Sequence, residues 1–534
     1  MTTLNTCMIA LSKLADCSSQ ERQQRVLQAF FWCSLCVLPL VMGLLSFQFA
    51  ISWDEPDHQD YGRLVLDYYL SGLKDKGALT YKLNYLNGGF FDFFCTLFQM
   101  AVSSLEPYDA RHLFNSFIGA LSIGFAALFA RRLFGPLAGL LTIIFLALSP
   151  RFTSDCMNNP KDLPFAGMFV LSLYALSFAK ARFPFFTPRI AGFAILSMGL
   201  LLNIRVGGLL MLCYAGLYLG VLALRDPEAR TWRRLTALVA GYAVACVAVL
   251  LLGSLFWPWA QQNPLAMPFE ALQQVSKYPW AGTLLFGGEL YDGKNLPWNY
   301  IPSLYWLSAP LAVLVGVVLS LPFLGRLPQD RLILLALLFS TVFPVAYAIG
   351  KNVLLYNGLR HLLFIYPPFV VLAAGGWSRL LCWPGLRRVG FACALAVLAL
   401  SLWHPLWFSL RYLPYQSIYY NELVGGVRGA NGKYELDYWG CSYKEAVDWI
   451  RRQPRAPGAV VRVFAPYGTG GGMVEAYAAR FPDLLFTTDQ DNSDYHVFLN
   501  WLIFQDVVEY LQRDVPRTHV VEVEGAPLCF VVRQ

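Results

Sequence analysis

Three stretches of this sequence carry charged residues where an apolar chain has no need of them. The first, Ser52-Trp53-Asp54-Glu55-Pro56-Asp57-His58-Gln59-Asp60, follows directly on the hydrophobic run 30–51. Its acids and its histidine are costly to place in lipid, so the stretch belongs at a surface or in a wet cavity. A plain stop to the preceding helix and a chemical role are both compatible with that placement. The second is Asn159-Pro160-Lys161-Asp162-Leu163-Pro164-Phe165, in which Asp162 opens an apolar run. A carboxylate at a helix N-terminus is stabilising by roughly 0.3–1 kcal/mol, which is enough to explain Asp162 taken alone. The third, Arg360-His361, also opens an apolar run, but an arginine there opposes the helix dipole. A bound anion compensates it, and the planar guanidinium is suited to holding phosphate oxygens as a fork. Arg205, between Asn203 and Gly207, lies near another helix end, where snorkelling accounts for it equally well.

The elements that must position these groups follow from composition. The chain has 534 residues, 57% of them hydrophobic and 14% charged, with a mean hydropathy of +0.47. Soluble chains carry roughly 25% charged residues, so this composition reads as a membrane protein. Apolar runs of the length that crosses about 30 Å of hydrocarbon predict about eleven helices. They lie near 28–51, 112–130, 136–150, 163–180, 189–204, 206–224, 235–257, 303–324, 331–349, 361–378 and 388–408. Basic residues gather in every second connection: Arg22 and Arg25, Arg131 and Arg132, Lys180 with Arg182 and Arg189, Arg225 to Arg234, Arg326 and Arg331, and Arg379 with Arg387 and Arg388. Short basic loops stay on the cytoplasmic side. The N-terminus is then inside and, with an odd number of spans, the C-terminal segment is outside. The net charge of +7 is distributed over these topology signals, with no basic face of the kind that binds nucleic acid. The polar segment 1–27 and the absence of a small-residue cleavage site after Ile51 make the first span an uncleaved anchor. Most cysteines lie in apolar runs, where they act as small hydrophobes. Cys441 and Cys529 fall outside those runs and are candidates for a disulfide.

The connections opposite the basic ones have a different character. The first, 52–111, holds the acidic cluster, Lys82 and two apolar pieces, 64–73 and 90–105, that read as helices lying along the interface. Others are rich in Trp, Pro, Gly and Tyr (258–302) or hold Lys351, Tyr356, Arg360 and His361. The working face is therefore the outer one. From 409 the texture changes to that of a small α/β domain. Strands are predicted at 460–464, 484–486, 495–499, 519–523 and 528–532, and helices at 443–452 and 473–481. Gly468-Thr469-Gly470-Gly471-Gly472 follows a strand and precedes a helix. It lacks the third glycine of a dinucleotide fingerprint and the lysine of a phosphate loop, so it reads as a turn and helix cap. The chain thus divides into a cytoplasmic segment 1–27, a transmembrane domain 28–408 and an outer domain 409–534.

The order of these features resembles the C-type (GT-C) glycosyltransferase superfamily. Within it the chain is most similar to family 39, the protein O-mannosyltransferases and lipid A aminoarabinose transferases. The resemblance rests on Trp53-Asp54-Glu55 opening a long outer loop, on Asn159-Pro160-Lys161-Asp162-Leu163-Pro164-Phe165-Ala166, and on Arg360-His361-Leu362-Leu363-Phe364-Ile365-Tyr366-Pro367-Pro368. It covers roughly 25–410, and the tail around Glu435-Leu436-Asp437-Tyr438-Trp439-Gly440 is similar to the outer domain of bacterial members. The resemblance implies inverting transfer of a sugar from a polyprenyl-phosphate carrier to an acceptor hydroxyl on a glycan, lipid or protein. Asp54 is then the base that takes the acceptor proton, with Glu55 and Asp162 assisting it. Lys82, Arg360 and His361, backed by Lys161 and Arg205, would meet the charge on the leaving phosphate. An Asp54–Glu55 pair close to phosphate is also suited to Mg²⁺ or Mn²⁺. The eukaryotic protein mannosyltransferases carry a central inserted domain that is missing here. That absence, with the short cytoplasmic loops, points to a bacterial inner membrane, with the C-terminal domain in the periplasm. A transporter or flippase of a lipid-linked sugar is the competing reading; its marks would be internal repeats and charges near midspan.

Overall fold

The computed structural model describes residues 2–183, 186–278, 280, 282–322, 331–466, 470–500 and 517–534. The chain opens with α1 (Thr2–Ser46), whose apolar part, Gln24–Ser46, is long enough to cross a membrane. The acidic stretch is not the stop of this helix. It starts a new one, α2 (Glu55–Leu70), with Glu55, Pro56 and Asp57 in the first turn. Carboxylates there meet the positive end of the helix dipole, and proline gives up only an N–H that has no partner in the helix. Asp57, His58 and Asp60 are therefore helical residues. After two short 3₁₀ turns comes α3 (Phe90–Ala101), so both apolar pieces of the first outer connection are helical.

The membrane portion continues with α4 (Pro107–Phe134), α5 (Pro136–Ala147), α6 (Pro150–Asn158), α7 (Asp162–Leu176), α8 (Pro188–Leu202), α9 (Leu209–Arg225) and α10 (Trp232–Gly253). A short helix α11 (Met267–Ser276) and a hairpin, β1 (Thr283–Phe286) with β2 (Glu289–Asp292), precede α12 (Tyr300–Ser308), α13 (Leu311–Ser320), α14 (Arg331–Gly350), α15 (Tyr366–Leu381) and α16 (Arg388–Arg411). Each expected apolar segment has a helical counterpart. Among the described residues 7 helices qualify as spans, or up to 9 if each bent pair counts as one. The bent pairs are α5 with α6, turned by 74°, and α12 with α13, turned by 114°. The remaining two expected segments are α7 and α8, apolar helices of 15 residues each. Arg326, expected among the basic turns, lies outside the described residues.

The first outer connection is pinned to the ends of α8 and α10. Gly88 approaches Asn203 so closely that a Cβ would overlap its carbonyl. Phe90 N–H donates to Asn203 O (3.3 Å) and Gly89 N–H to Phe256 O (2.8 Å). A glycine is required at such an approach, and its effect is to fix α2 and α3 over the C-terminal ends of those helices.

After α16 a linker containing α17 (Gly426–Ala430) leads to the C-terminal domain, formed by α18 (Ser442–Arg451), β3 (Val461–Phe464), α19 (Gly471–Ala478), β4 (Leu484–Thr487), β5 (Tyr495–Leu499), β6 (His519–Val523) and β7 (Ala526–Arg533). The sheet order is β4-β3-β5-β7-β6, with β3 parallel to β4 and β5, and β7 antiparallel to β5 and β6. Part of the glycine-rich turn, 467–469, lies outside the described residues; Gly470 has φ +103° and leads into α19. Cys441 and Cys529 are buried free thiols, not a disulfide. The core of this domain draws in Ala50 and Ile51 from the end of the first span and Phe408 from α16, so the two regions are packed together.

Candidate active site

Asp54 stands at the N-cap position of α2, a place where aspartate ordinarily caps the helix with its own side chain. Here it makes no such bond. Its carboxylate turns away and accepts a hydrogen bond from Nη2 of Arg360. Arg360 opens a 3₁₀ turn, Arg360–Ile365, that runs straight into α15. Pro367 and Pro368 lie in the first turn of α15, where proline suits a helix start because its missing N–H has no partner there.

Arg360 also reaches Asp162, with Nε 3.5 Å from Oδ2, and Nη1 of Arg205 donates to Oδ1 of the same carboxylate. Asp162 is only 2% exposed, and two guanidinium groups balance its charge. The Asn159-Pro160-Lys161-Asp162 turn explains its placement. Oδ1 of Asn159 accepts from the N–H groups of Lys161 (3.3 Å) and Asp162 (2.9 Å), while Nδ2 of Asn159 donates to Asp155 (2.9 Å). Asparagine is suited to this local turn because its side chain imitates a backbone carbonyl. Desolvation, with Arg205 next in weight, pushes the Lys161 ammonium down to about 8, against the pull of Asp162 and Asp54. The cluster thus holds two carboxylates, Asp54 and Asp162, and three cations, Arg205, Arg360 and Lys161. Asp155 faces the same groups; with Lys161 and Asp155 both protonated, three cations minus two carboxylates leaves one positive charge.

Of the other expected residues, His361 stays beside the cluster, within electrostatic reach of Arg205, Asp162, Arg360 and Lys161, whereas Lys82 and Glu55 fall elsewhere. Lys82 pairs with Asp57 and lies over the Tyr81 ring, so it is not joined to the cluster. His361 packs against Tyr356, ring centres 4.4 Å apart. Glu55, although adjacent to Asp54, turns into a separate buried network. Its carboxylate accepts from Ser52 N–H (2.7 Å) and lies 3.1 Å from Nε2 of His112. Asp54 and Glu55 therefore do not converge. Among the described residues no three His, Cys, Asp or Glu side chains group as a metal site would require. The Asp54–Glu55 pair does not fit a divalent ion in this arrangement.

The network behind Glu55 is the part that sequence reasoning missed. Nδ1 of His58 lies 2.9 Å from Asp92, and Arg111 reaches the other oxygen of Asp92 at 3.4 Å. His58, Asp92, Asn84, Asn87, Pro160 and Lys161 line one small cavity, which connects this network to the cationic side of the cluster. A signal was present: Asp92, Arg111 and His112 interrupt or border apolar segments, where ionisable groups are expensive and have to be partnered.

No family model matches the chain, and no curated protein matches it by sequence. The arrangement of spans, acidic helix α2 and C-terminal sheet domain nevertheless has counterparts among solved structures. The chain is similar in fold to the crystal structure of ArnT from Cupriavidus metallidurans bound to undecaprenyl phosphate. The match has a TM-score of 0.52 at 15% identity and covers 93% of this chain and 97% of that one. The apo structure of the same ArnT gives a TM-score of 0.50, with the same identity and coverage. At this identity the likeness is one of fold.

Proposed function

We propose that this chain is a membrane glycosyltransferase that moves a sugar, with inversion, from a polyprenyl-phosphate carrier to an acceptor hydroxyl at the outer face of the membrane. The observation that carries this reading is the cluster itself: a carboxylate at the mouth of an outer helix, beside cations that exceed the carboxylates by one charge. A sugar phosphodiester brings one negative charge. Undecaprenyl phosphate, the ligand of the ArnT crystal structure, belongs to the same carrier class. In the proposed reaction the acceptor oxygen attacks the anomeric carbon while Asp54 takes its proton. The bond from that carbon to the phosphate oxygen breaks, and the electron pair stays on the phosphate. Arg360, Arg205 and Lys161 meet the charge that develops there, which is the usual source of the largest catalytic term in such sites. Arg360 is held by Asp54 before donor arrives. A phosphate that draws the guanidinium away also frees the base. Asp162 keeps the two guanidinium groups in place, and no step is routed through a metal ion.

Membership of family 39, a bacterial inner membrane, a cytoplasmic N-terminus, a periplasmic C-terminal domain and the division at 28–408 and 409–534 belong to the same proposal. A flippase is disfavoured because the charged groups sit at helix ends on one side. The test is an assay of purified protein with a panel of polyprenyl-phosphate sugars, following release of polyprenyl phosphate. Translocation of labelled donor in proteoliposomes without any turnover would overturn the proposal.

Lys161 gives this site a pH signature. Its ammonium, lowered to about 8, is charged below that pH and neutral above it. Affinity for polyprenyl phosphate should therefore decline as pH rises through about 8, and Lys161→Met should flatten that decline. A titration of binding between pH 6.5 and 9.5 in both proteins checks it. A profile unchanged by the substitution removes Lys161 from the phosphate site.

A further inference from the structure

One short piece of the C-terminal region touches Arg360 and the residue that precedes its partner Asp54. The indole of Trp439 lies under the Arg360 guanidinium, 4.6 Å from ring centre to Cζ, and Trp439 is only 2% exposed. Its backbone carbonyl accepts from the N–H of Trp53, the residue before Asp54 (3.2 Å). Four residues earlier, the Glu435 carboxylate accepts from Nδ2 of Asn357 and from Gly358 N–H (3.3 Å), just before Arg360 in the chain. Gly358 has φ +64°, and a Cβ there would lie 2.8 Å from the Tyr438 hydroxyl. The segment is itself held rigid, because Asp437 accepts from the N–H groups of Cys441 (2.9 Å) and Ser442 (2.8 Å).

We infer that Glu435–Trp439 is a clamp contributed by the C-terminal region, in which Trp439 is the positioning residue that aims the Arg360 guanidinium at the donor phosphate. The inference rests on the proposed phosphate role of Arg360. Two facts of chemistry support it. A guanidinium is planar and stacks on an indole face, which fixes the direction of its N–H fork. The same segment fixes the backbone on either side, at Trp53 and at Gly358, so the base and the cation keep one mutual geometry. A segment serving only to pack the domain would have no reason to bond to both.

A double-mutant cycle on polyprenyl phosphate binding tests this in the full-length protein. Trp439→Ala should weaken binding roughly 2- to 30-fold, the range of a cation–π contact, whereas Trp439→Phe should retain most of it. In an Arg360→Ala background, Trp439→Ala should cost nothing more, because Trp439 acts through Arg360. Equal losses in both backgrounds, with thermal unfolding unchanged, would overturn the clamp while leaving the phosphate site standing. An Arg360→Ala protein that binds as tightly as the parent would overturn both. Trp439→Leu, which fills the space without an aromatic face, carries the same cycle should the alanine variant not fold.

Discussion

Asp54→Asn should bring sugar transfer down by about 10²–10⁴-fold, the usual contribution of a positioned general base, while leaving the protein folded. The amide keeps the size of the carboxylate and still offers an oxygen to Arg360, so the pairing that Asp54 makes now survives as a weaker bond. What is lost is the capacity to accept a proton. Removing one negative charge also leaves the cluster with one carboxylate against three cations, an excess of two. Polyprenyl phosphate should then bind as well as before or more tightly. Transfer measured beside binding separates the two effects. Full turnover in Asp54→Asn would dismiss Asp54 as the base whatever the affinity.

Removing the cation has the opposite pattern. Arg360→Ala should reduce affinity for polyprenyl phosphate by roughly ten- to a hundredfold, in line with about 1.5–3 kcal/mol for a hydrogen bond to a charged group. It also leaves Asp162, 2% exposed, with Arg205 as its remaining guanidinium partner, so thermal stability should fall as well. Arg360→Lys is the informative companion. It restores the charge without the planar fork, and should recover stability more fully than affinity. Unaltered donor affinity in Arg360→Ala would take this residue out of the phosphate site.

Much of the fold was legible because hydrocarbon imposes its own length on the chain. Every predicted apolar segment became a helix, and the five predicted strands of the tail all formed. The bend after α12 was less visible, since Pro310 sits inside an otherwise continuous apolar run, whereas the bend after α5 falls at Pro150, where the run 136–150 ends. At the site, Asp54, Lys161, Asp162, Arg205 and Arg360 converge from four separate parts of the sequence, and each had been noticed for a local reason. Lys82 and Glu55 did not join them. Neighbours in a helix point about 100° apart, so adjacency to Asp54 gave Glu55 no access to the same space. The His58–Asp92–Arg111 network was harder to read because its meaning lies in pairings across α2, α3 and α4. Trp439 gains its role only where the folded chain brings it under Arg360, which nothing local to Glu435–Gly440 signals.

That folding back bears on how the protein is made. Ile51 N–H donates to the hydroxyl of Tyr477, 426 positions later, and Nζ of Lys444 donates to the carbonyls of Gln48 (2.8 Å) and Phe49 (3.3 Å). The segment that carries Asp54 out of the first span is thus held by residues translated long after it. Synthesis runs from the N-terminus, so the membrane helices can be inserted one by one while their acidic outer turn still lacks its final supports. A nascent chain that stops at α16 would be a membrane protein without an assembled reaction centre, and the competence to react would arrive with the sheet domain that follows.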